Sequence, residues 1–269
     1  LYQWKDEQLQ AAENFRVSDA EGEPNKMSGL WQSASALDID ADGDLDLVLG
    51  NLGLNYRFSA SHQEPLTLFA LDMDDNASLE LWMAHYQHGR LLPVRERDDI
   101  YEQWRNVKRK FPKYDDYARA DMQQILGDQM NKALRMDAET LANVLLVNEG
   151  NLNFTAYSLP EIGQISAVQA SVLMDADKDG KEELISGGNF YPVEKHTPRL
   201  DASVGQVYQI KGTTLQPVNM QQSGLYLPGD VRKILKLTTP GGPVLLVASN
   251  DAYLKAFQTK SSALLTQSP

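Results

Sequence analysis

The chain has 269 residues, with 25 Lys and Arg against 37 Asp and Glu, a formal net charge of −12 and no cysteine. The negative charge argues against a nucleic-acid-binding protein, because few basic clusters are present to oppose a phosphate backbone. The lack of cysteine excludes a disulfide framework and a thiolate metal site, and no apolar run approaches the length of a membrane-spanning helix.

The opening segment, residues 1–15, predicts a pair of strands. It is similar to the outer half of a repeating unit, whose inner half we expect to lie upstream or to be supplied by the C-terminus. The chain starts at Leu1 without a visible signal peptide, so we expect this start to be a processing or an artificial boundary.

Residues 29–51 predict a strand, an acidic loop and a second strand that ends at Gly50-Asn51. The loop carries a carboxylate at every second position and a glycine at the sixth. These residues are Asp38, Asp40, Asp42, Gly43, Asp44 and Asp46. Such a run of like charges repels itself unless a cation lies within it.

The same pattern recurs twice. Residues 165–189 contain a second strong copy, again with glycine at the sixth loop position. Residues 66–86 contain a weaker third copy, in which alanine replaces the glycine, and asparagine and glutamate replace two aspartates. Residues 145–157 and 204–218 predict hairpins, and residues 231–248 predict a fourth strand pair without an acidic loop.

Residues 97–142 interrupt this pattern, because they are rich in charged residues and helix formers. Apolar spacing predicts helices at residues 98–104, 114–125 and 130–141, and Pro112 separates the first two. We expect this helical insertion to lie between the inner and outer strands of the unit that contains the third loop.

Repeated four-strand units with one motif per unit predict an all-β fold, specifically a β-propeller of about four blade units. Four blades lie at the lower limit for closure, so the chain can be part of a larger ring. We interpret residues 1–269 as a single propeller-like domain or fragment, with the helical insertion at residues 97–142 within it.

Oxygen ligands on a short loop favour a hard cation, Ca²⁺ above all. Positions one, three and five of the loop supply side-chain oxygens, position seven a backbone carbonyl, and position nine a further carboxylate. The predicted ligands are Asp38, Asp40, Asp42, Asp44 (backbone) and Asp46 in the first loop, and Asp175, Asp177, Asp179, Lys181 (backbone) and Glu183 in the second. The third loop offers Asp72, Asp74, Asn76 and Glu80. We expect Ca²⁺ in the two strong loops and leave the third open; an Asp-rich turn without metal is the alternative.

An EF-hand is the competing interpretation of the acidic loops. It requires a glutamate at position twelve and flanking helices, whereas Leu49 and Ser186 occupy that position and the flanks predict strands. The acidic loops therefore predict β-hairpins.

The chain resembles the FG-GAP/VCBS repeat family, the Ca²⁺-loop β-propellers also found in integrin α-subunit heads. The resemblance rests on D-x-D-x-D-G-x-x-D between strands, followed by apolar residues and Gly-Asn. A looser similarity to large bacterial VCBS proteins related to the cartilage acidic protein group involves residues 95–111, 187–193, 199–203, 229–232 and 245–250. The resemblance implies structural Ca²⁺ on one rim, a secreted or surface-anchored protein, and a partner site on the opposite rim or in the inserted segments.

Two small groups of side chains are further candidates. His85 and His88 stand three residues apart, as in some metal sites, but no third ligand is identifiable, which favours a surface pair. Tyr191, His196 and Arg199 can serve acid–base chemistry on uronic sugars, although a structural role is the simpler interpretation.

A local basic cluster lies near Tyr101 and Trp104 and can bind an acidic glycan or a protein partner. A solvated helix face is the simpler interpretation. The cluster comprises Arg90, Arg95, Arg97, Arg105, Lys108, Arg109 and Lys110.

No diagnostic catalytic or phosphate-binding motif is present. We therefore favour a non-catalytic, Ca²⁺-stabilised binding or adhesion module, extracellular, cell-surface or periplasmic, with an unidentified protein or glycan partner. The alternative is a glycan-active enzyme, either a polysaccharide lyase or a glycosidase. In a third, purely architectural interpretation, the chain completes a ring within a longer protein and binds nothing itself.

Overall fold

The computed structural model describes residues 2–5, 7–25, 27–74, 76–193 and 195–258. The chain is rich in β-strands, and none of the sheets in these ranges closes on itself. The strands are β1 (Tyr2–Lys5), β2 (Gln8–Ala11), β3 (Arg16–Ser18), β4 (Ser33–Leu37), β5 (Asp46–Gly50), β6 (Leu66–Leu71), β7 (Glu80–Gln87), β8 (Arg90–Pro93), β9 (Leu134–Ala138), β10 (Val144–Asn148), β11 (Asn153–Ser158), β12 (Val168–Met174), β13 (Glu183–Gly188), β14 (Gln206–Lys211), β15 (Thr214–Val218), β16 (Val231–Thr239), β17 (Gly242–Ser249) and β18 (Lys255–Gln258). The short helices are α1 (Arg97–Gln103), α2 (Val107–Lys110), α3 (Tyr114–Ala118), α4 (Met122–Leu126) and α5 (Met220–Ser223).

The chain divides into two compact units. The first combines residues 1–26, 30–56 and 142–269, and the second combines residues 27–29 and 57–141. The second unit therefore interrupts the first between β5 and β10.

Among its described residues, the first unit contains three sheets and a hairpin. Sheet 1 has the order β3-β11-β10-β5-β4, sheet 2 the order β12-β13-β14-β15, and sheet 3 the order β16-β17-β18. All neighbours in these sheets are antiparallel except β3 and β11. The first strand of sheet 2, β12, packs against the corresponding strands β4 and β16 of the other two sheets.

Alternation along the strands gives sheet 2 two buried faces, because one set of side chains packs on sheet 1 and the other on sheet 3. Leu173 and Leu184 belong to the core shared with sheet 1, and Ala170 and Ile185 to the core shared with sheet 3. A strand that is buried on both faces consists mostly of apolar and small residues, as β12 and β13 do.

Sheets 1 and 2 approach each other closely at Gly50. A Cβ atom on Gly50 would lie 1.7 Å from the carbonyl oxygen of Val168, so no larger residue fits there. The Ser33 hydroxyl donates a hydrogen bond to the same carbonyl oxygen over 2.8 Å. The Gly-Asn end of the strand is thus explained by contact with the neighbouring sheet.

The second unit contains one four-stranded antiparallel sheet, sheet 4, with the order β8-β7-β6-β9. One face of sheet 4 forms a core with helices α1 to α4. Phe69 and Trp82 from the sheet pack there with Ile100, Met122 and Ile125 from the helices. Trp82 and Trp104 meet edge to face, with ring centroids 6.0 Å apart.

The helical prediction is correct in part. Helix α1 matches the prediction for residues 98–104, and the chain breaks at Pro112 between α2 and α3. The helix predicted over residues 114–125 is two shorter helices, because Asp121 and Gln124 form a capping box that starts α4. The helix predicted over residues 130–141 is wrong: this segment contains a turn of 3₁₀ helix and strand β9.

Strand β9 forms because β6 offers an edge to pair with. The two strands pair in antiparallel register, with Leu66 opposite Ala138 and Ala70 opposite Leu134. Thr67 Oγ1 donates a hydrogen bond to Asp137 Oδ1 over 2.7 Å. The ion pair between Arg135 and Asp137 also fits a strand, because residues two apart share one face.

The predicted hairpins at residues 145–157, 204–218 and 231–248 are confirmed. The hairpin at residues 145–157 belongs to a different sheet from the one predicted. We expected it to complete the unit with the third acidic loop, but β10 pairs with β5 and completes sheet 1. The opening hairpin, β1–β2, pairs with no other strand in the described ranges. No helix in these ranges has the length and apolarity needed to cross a bilayer.

Candidate metal centres

Each acidic loop joins two neighbouring antiparallel strands: β4 to β5, β12 to β13, and β6 to β7. Gly43 and Gly180, at position six of the strong loops, have φ of 98° and 90°. Glycine adopts this conformation without the steric conflict of a Cβ atom. Ala77 holds the same position in the third loop with φ of 65°, so this loop keeps the turn despite lacking glycine.

The carboxylate at position nine closes each loop onto its second residue. The Ile39 N–H donates to Asp46 Oδ2, the Met73 N–H to Glu80 Oε2, and the Ala176 N–H to Glu183 Oε2. Each of these hydrogen bonds is 2.8 Å long. The position-nine side chains are all buried. The third loop therefore follows the same closing pattern as the two strong ones.

A second hydrogen bond recurs between positions five and seven. The backbone N–H of Asp44 donates to Asp42, that of Ser78 to Asn76, and that of Lys181 to Asp179, over 2.7 to 2.9 Å. An asparagine oxygen can replace the carboxylate in this role, because the acceptor needs only a side-chain carbonyl. The substitution in the third loop thus preserves the local structure while it removes one negative charge.

Each loop gathers three carboxylate groups with oxygen atoms within 4.8 Å of one another. These groups are Asp38, Asp40 and Asp42 in the first loop, Asp175, Asp177 and Glu183 in the second, and Asp72, Asp74 and Glu80 in the third. Carboxylates at this separation repel each other strongly outside bulk water.

Several carboxylate oxygens in the strong loops are buried and accept no hydrogen bond from the described residues. They are Asp38 Oδ1, Asp40 Oδ1, Asp44 Oδ1 and Asp175 Oδ1. Buried polar atoms are rarely left without a partner. Converging oxygen atoms without donors are the environment that a hard cation requires, so the residues of both strong loops could hold a metal ion.

The pKa values of carboxylates in both strong loops also favour a bound cation. Burial raises the pKa of Glu183 to about 7, and repulsion from Asp177, Asp179 and Asp175 adds to this effect. Burial likewise raises the pKa of Asp46, and burial and the neighbouring Asp42 raise that of Asp44. A bound cation would offset these penalties by stabilising the ionised carboxylates.

The predicted ligands outside the three-carboxylate groups have other contacts. Asp46 accepts from the Ile39 N–H and, over 2.8 Å, from the Asn148 N–H, so it links its loop to β10. Asp179 and Asn76 each accept the position-seven N–H of their own loop. Lys181, expected to contribute its carbonyl, donates its N–H to Asp179.

A buried polar network that was not predicted from the sequence lies at the opposite ends of these strands. The Asn51 N–H donates to Asn143 Oδ1 over 2.6 Å, and Asn143 Nδ2 donates to the carbonyls of Gly163 and Ser166. Gln164 exchanges two hydrogen bonds with the Asn143 backbone. Of these residues, only Asn51 belonged to a recognised pattern, the Gly-Asn end of a strand.

Much of the predicted basic cluster is engaged within the protein. Arg97 is buried, donates to the carbonyls of Phe111 and Pro112, and lies 3.8 Å from the Tyr114 ring centroid. Lys110 Nζ donates to the Ile125 carbonyl. These contacts indicate that the two cations stabilise the helical segment.

Lys108 lies 3.2 Å from Asp98, and Arg90 lies 3.9 Å from Asp121. Trp104, the aromatic residue predicted nearby, is buried in the core. With Arg97 and Lys110, four of the seven predicted cations therefore have partners within the protein.

The remaining candidates do not form a metal group among the described residues. His85 stacks on Phe58 with ring centroids 4.5 Å apart, and burial lowers its pKa. His88 is exposed in the β7–β8 turn. Arg199 lies over the Tyr191 ring at 5.1 Å, a contact that can hold this loop in place without any catalytic role.

The chain matched no protein-family model, and a search of curated proteins gave no significant match.

Proposed function

We propose that the chain is a non-catalytic, Ca²⁺-stabilised binding module of the FG-GAP/VCBS type, built on a β-propeller arrangement of its sheets. The observation that carries the proposal is the shared structure of the three acidic loops. Each has the same hydrogen bond from position two to position nine, and each gathers three carboxylates.

The ion would be held by Asp38, Asp40 and Asp42 in the first loop and by Asp175, Asp177 and Glu183 in the second. Bound Ca²⁺ would supply positive charge that neutralises the clustered carboxylates and fixes the turn between two strands. The role is structural, because position nine links each loop to its own hairpin.

The arrangement of the first unit supports a propeller. Strand β12 of sheet 2 packs against β4 of sheet 1 and β16 of sheet 3, and the two strong loops follow β4 and β12. In a propeller, repeated sheets stack in this way around an axis. By the family resemblance, we place the protein outside the cytoplasm and its protein or glycan partner away from the Ca²⁺ loops.

Calcium binding is tested by equilibrium dialysis of the chain after treatment with a chelator. We expect Ca²⁺ bound at the two strong loops, with Asp40→Asn and Asp177→Asn each reducing the bound calcium by one site. Asp201→Asn is the matched control, because Asp201 is exposed and lies outside the loops. A chain that binds no Ca²⁺ contradicts the proposal.

Partner binding and catalysis are separated by a panel of acidic and neutral polysaccharides. A binding module retains a polysaccharide in Ca²⁺ without releasing shortened products, whereas a lyase or glycosidase releases them. Product formation that Tyr191→Phe abolishes would replace the binding proposal with an enzymatic one.

A further inference from the structure

A buried carboxylate lies at the start of sheet 3. Asp230 directly precedes β16 and is 2% exposed. Its Oδ2 atom accepts hydrogen bonds from Arg232 Nη2 over 2.7 Å and from Asn250 Nδ2 over 2.9 Å. Its Oδ1 atom is also buried, and it accepts no hydrogen bond from the described residues. Because buried carboxylate oxygens normally have donors, Oδ1 is an acceptor available to a ligand.

Sheet 2 shows that the fold does not require a carboxylate at this position. The Asn250 N–H donates to the Asp230 carbonyl over 2.9 Å, and the Asn189 N–H donates in the same way to the Ala167 carbonyl over 2.9 Å. Each of these two acceptor residues directly precedes the first strand residue, of β16 and β12 respectively, and each is buried. Because a buried alanine is sufficient in sheet 2, the charge of Asp230 is not needed to form the strand.

Arg232 lies in a β-bulge that recurs in sheet 2. The register of β16 with β17 shifts at Arg232, and the register of β12 with β13 shifts at Gln169, the equivalent position. A bulge re-aims the side chain of the extra residue, and bulges are frequent beside functional sites. Arg232 Nε is buried and donates to no described residue, yet 32% of the Arg232 side chain is exposed. This side chain can therefore be reached by a ligand from solvent.

An aromatic ring borders the Asp230–Arg232 pair. Phe190 follows the Gly-Asn end of β13, and its ring centroid lies 5.9 Å from Arg232 Cζ. Asn189 holds the two segments together, because its Nδ2 donates to the Gly229 carbonyl over 2.8 Å. Phe190 is half-buried, so part of its surface remains open to solvent. The start of sheet 3 thus combines a free acceptor, a free donor and an apolar surface.

The chemistry of the ligand follows from these three groups. It must accept a hydrogen bond from Arg232 and donate one to Asp230, and a hydroxyl group does both. An anion would be repelled by the carboxylate and a cation by the guanidinium group, so the ligand is neutral. Several hydroxyl groups on a ring with an apolar C–H face are the properties of a sugar, and a binding site of few polar groups beside an aromatic side chain suits it.

We propose that Asp230, Arg232 and Phe190 form a binding site for a neutral sugar residue. The inference rests on the proposed binding function, and it names the partner as a neutral glycan. Arg232 Nε donates to one sugar oxygen, and a sugar hydroxyl donates to Asp230 Oδ1. The apolar face of the sugar packs on the Phe190 ring. Asn250 is a positioning residue, because its amide holds Asp230 Oδ2.

Saturation-transfer NMR of the full chain in Ca²⁺ tests the ligand class. The probes are the neutral sugars glucose, galactose, mannose, xylose and fucose, and the acidic sugars glucuronate and galacturonate. We expect at least one neutral sugar to bind, and both acidic sugars to bind more weakly than that sugar.

Two variants test the site by giving sheet 3 the residues that sheet 2 has at the equivalent positions. Asp230→Ala matches Ala167, and Arg232→Gln matches Gln169. Each should weaken binding of the sugar about tenfold or more in an NMR titration, because a hydrogen bond to a charged group is lost. Lys211→Gln is the control for charge and should have no effect, because Lys211 is exposed at the far end of β14. Circular dichroism establishes that each variant remains folded.

The inference would be overturned if no neutral sugar bound, if both variants bound the sugar as tightly as the wild type, or if an acidic sugar bound more tightly. Equilibrium dialysis of the same samples with Ca²⁺ separates this failure from failure of the proposed function. A chain that binds Ca²⁺ but no sugar overturns the sugar site alone, whereas a chain that binds neither contradicts both.

Discussion

Asp46 and Glu183 occupy the same loop position but have different contacts. Glu183 is one methylene longer, and it reaches the carboxylate group of its loop while it accepts the Ala176 N–H. Asp46 lies outside the corresponding group and accepts a second backbone N–H from Asn148. Spacing alone predicted the same ligand role for both. The difference depends on the length of the side chain and on Asn148, which lies 102 residues from Asp46 in the chain. The local sequence pattern of the loop contains neither kind of information.

The raised pKa of Glu183 predicts how stability depends on pH without metal. Because the pKa is raised from 4.5 to about 7, the folded state binds this proton more tightly than the unfolded state. The resulting stabilisation is complete below pH 4.5 and is lost as the pH rises through about 7. In chelator, the free energy of unfolding measured in urea should therefore fall between pH 4.5 and about pH 7.

The control for this prediction is Glu183→Gln, which has no proton to lose and should flatten the pH dependence. Saturating Ca²⁺ should also remove the pH dependence in the wild type, because the cation stabilises the ionised form of Glu183. A metal-free chain that grows more stable from pH 5 to pH 7 would be inconsistent with the raised pKa.

Position six of the loops offers a matched pair of substitutions. Ala77 has φ of 65° and Gly180 has φ of 90°, and nothing lies within 4 Å of a Cβ atom on Gly180. The backbone conformation alone therefore determines the effect. We expect Ala77→Gly to stabilise the chain by about 1 kcal/mol and Gly180→Ala to destabilise it by about 1–2 kcal/mol. Equilibrium unfolding measures both, and equal signs for the two changes would show that the loops are not equivalent.

At the scale of elements, the sequence identified hairpins well and their partners poorly. Turn residues and alternation are local, so the hairpins at residues 145–157, 204–218 and 231–248 were predictable. The pairing of β10 with β5 was not predictable, because the whole second unit lies in the chain between Leu47 and its partner Leu146. In strand β9, tertiary pairing outweighs local helix propensity. Leu134 to Ala138 are mostly good helix formers, yet they form a strand because they pair with the edge of β6.

The close approach of sheets 1 and 2 predicts a large effect at Gly50. In Gly50→Ala the added methyl group would overlap the Val168 carbonyl oxygen, so the backbone of one strand must move. We expect a loss of more than about 3 kcal/mol, as is typical of disrupted cores. Gly241→Ala is the control, because its Cβ would meet only side-chain atoms, Gln258 Nε2 at 3.2 Å and Thr239 Oγ1 at 3.8 Å. Equal stability of the two variants in urea would contradict the tight junction.

At the scale of the molecule, acidic loops and polar strand ends stabilise opposite ends of the same sheets. Asp46 fastens its loop to β10, while Asn143 and Gln164 join the far end of β10 to the segment that precedes β12. The acidic loops could be predicted from the sequence because their candidate ligands lie within one nine-residue segment. The asparagine network was not, because its members become neighbours only when the sheets assemble. The stacked sheets thus depend on both ends, and a cation at one end would stabilise the whole set.

Thermal unfolding of the full chain with Ca²⁺ and with chelator tests this dependence most directly. An ion that binds only the folded state stabilises it by about 2.7 kcal/mol per site at 100 times its dissociation constant, so the unfolding temperature should rise by several degrees in Ca²⁺. The double variant Asp40→Asn/Asp177→Asn should lose most of this increase. An unfolding temperature that is the same in Ca²⁺ and in chelator would contradict the account.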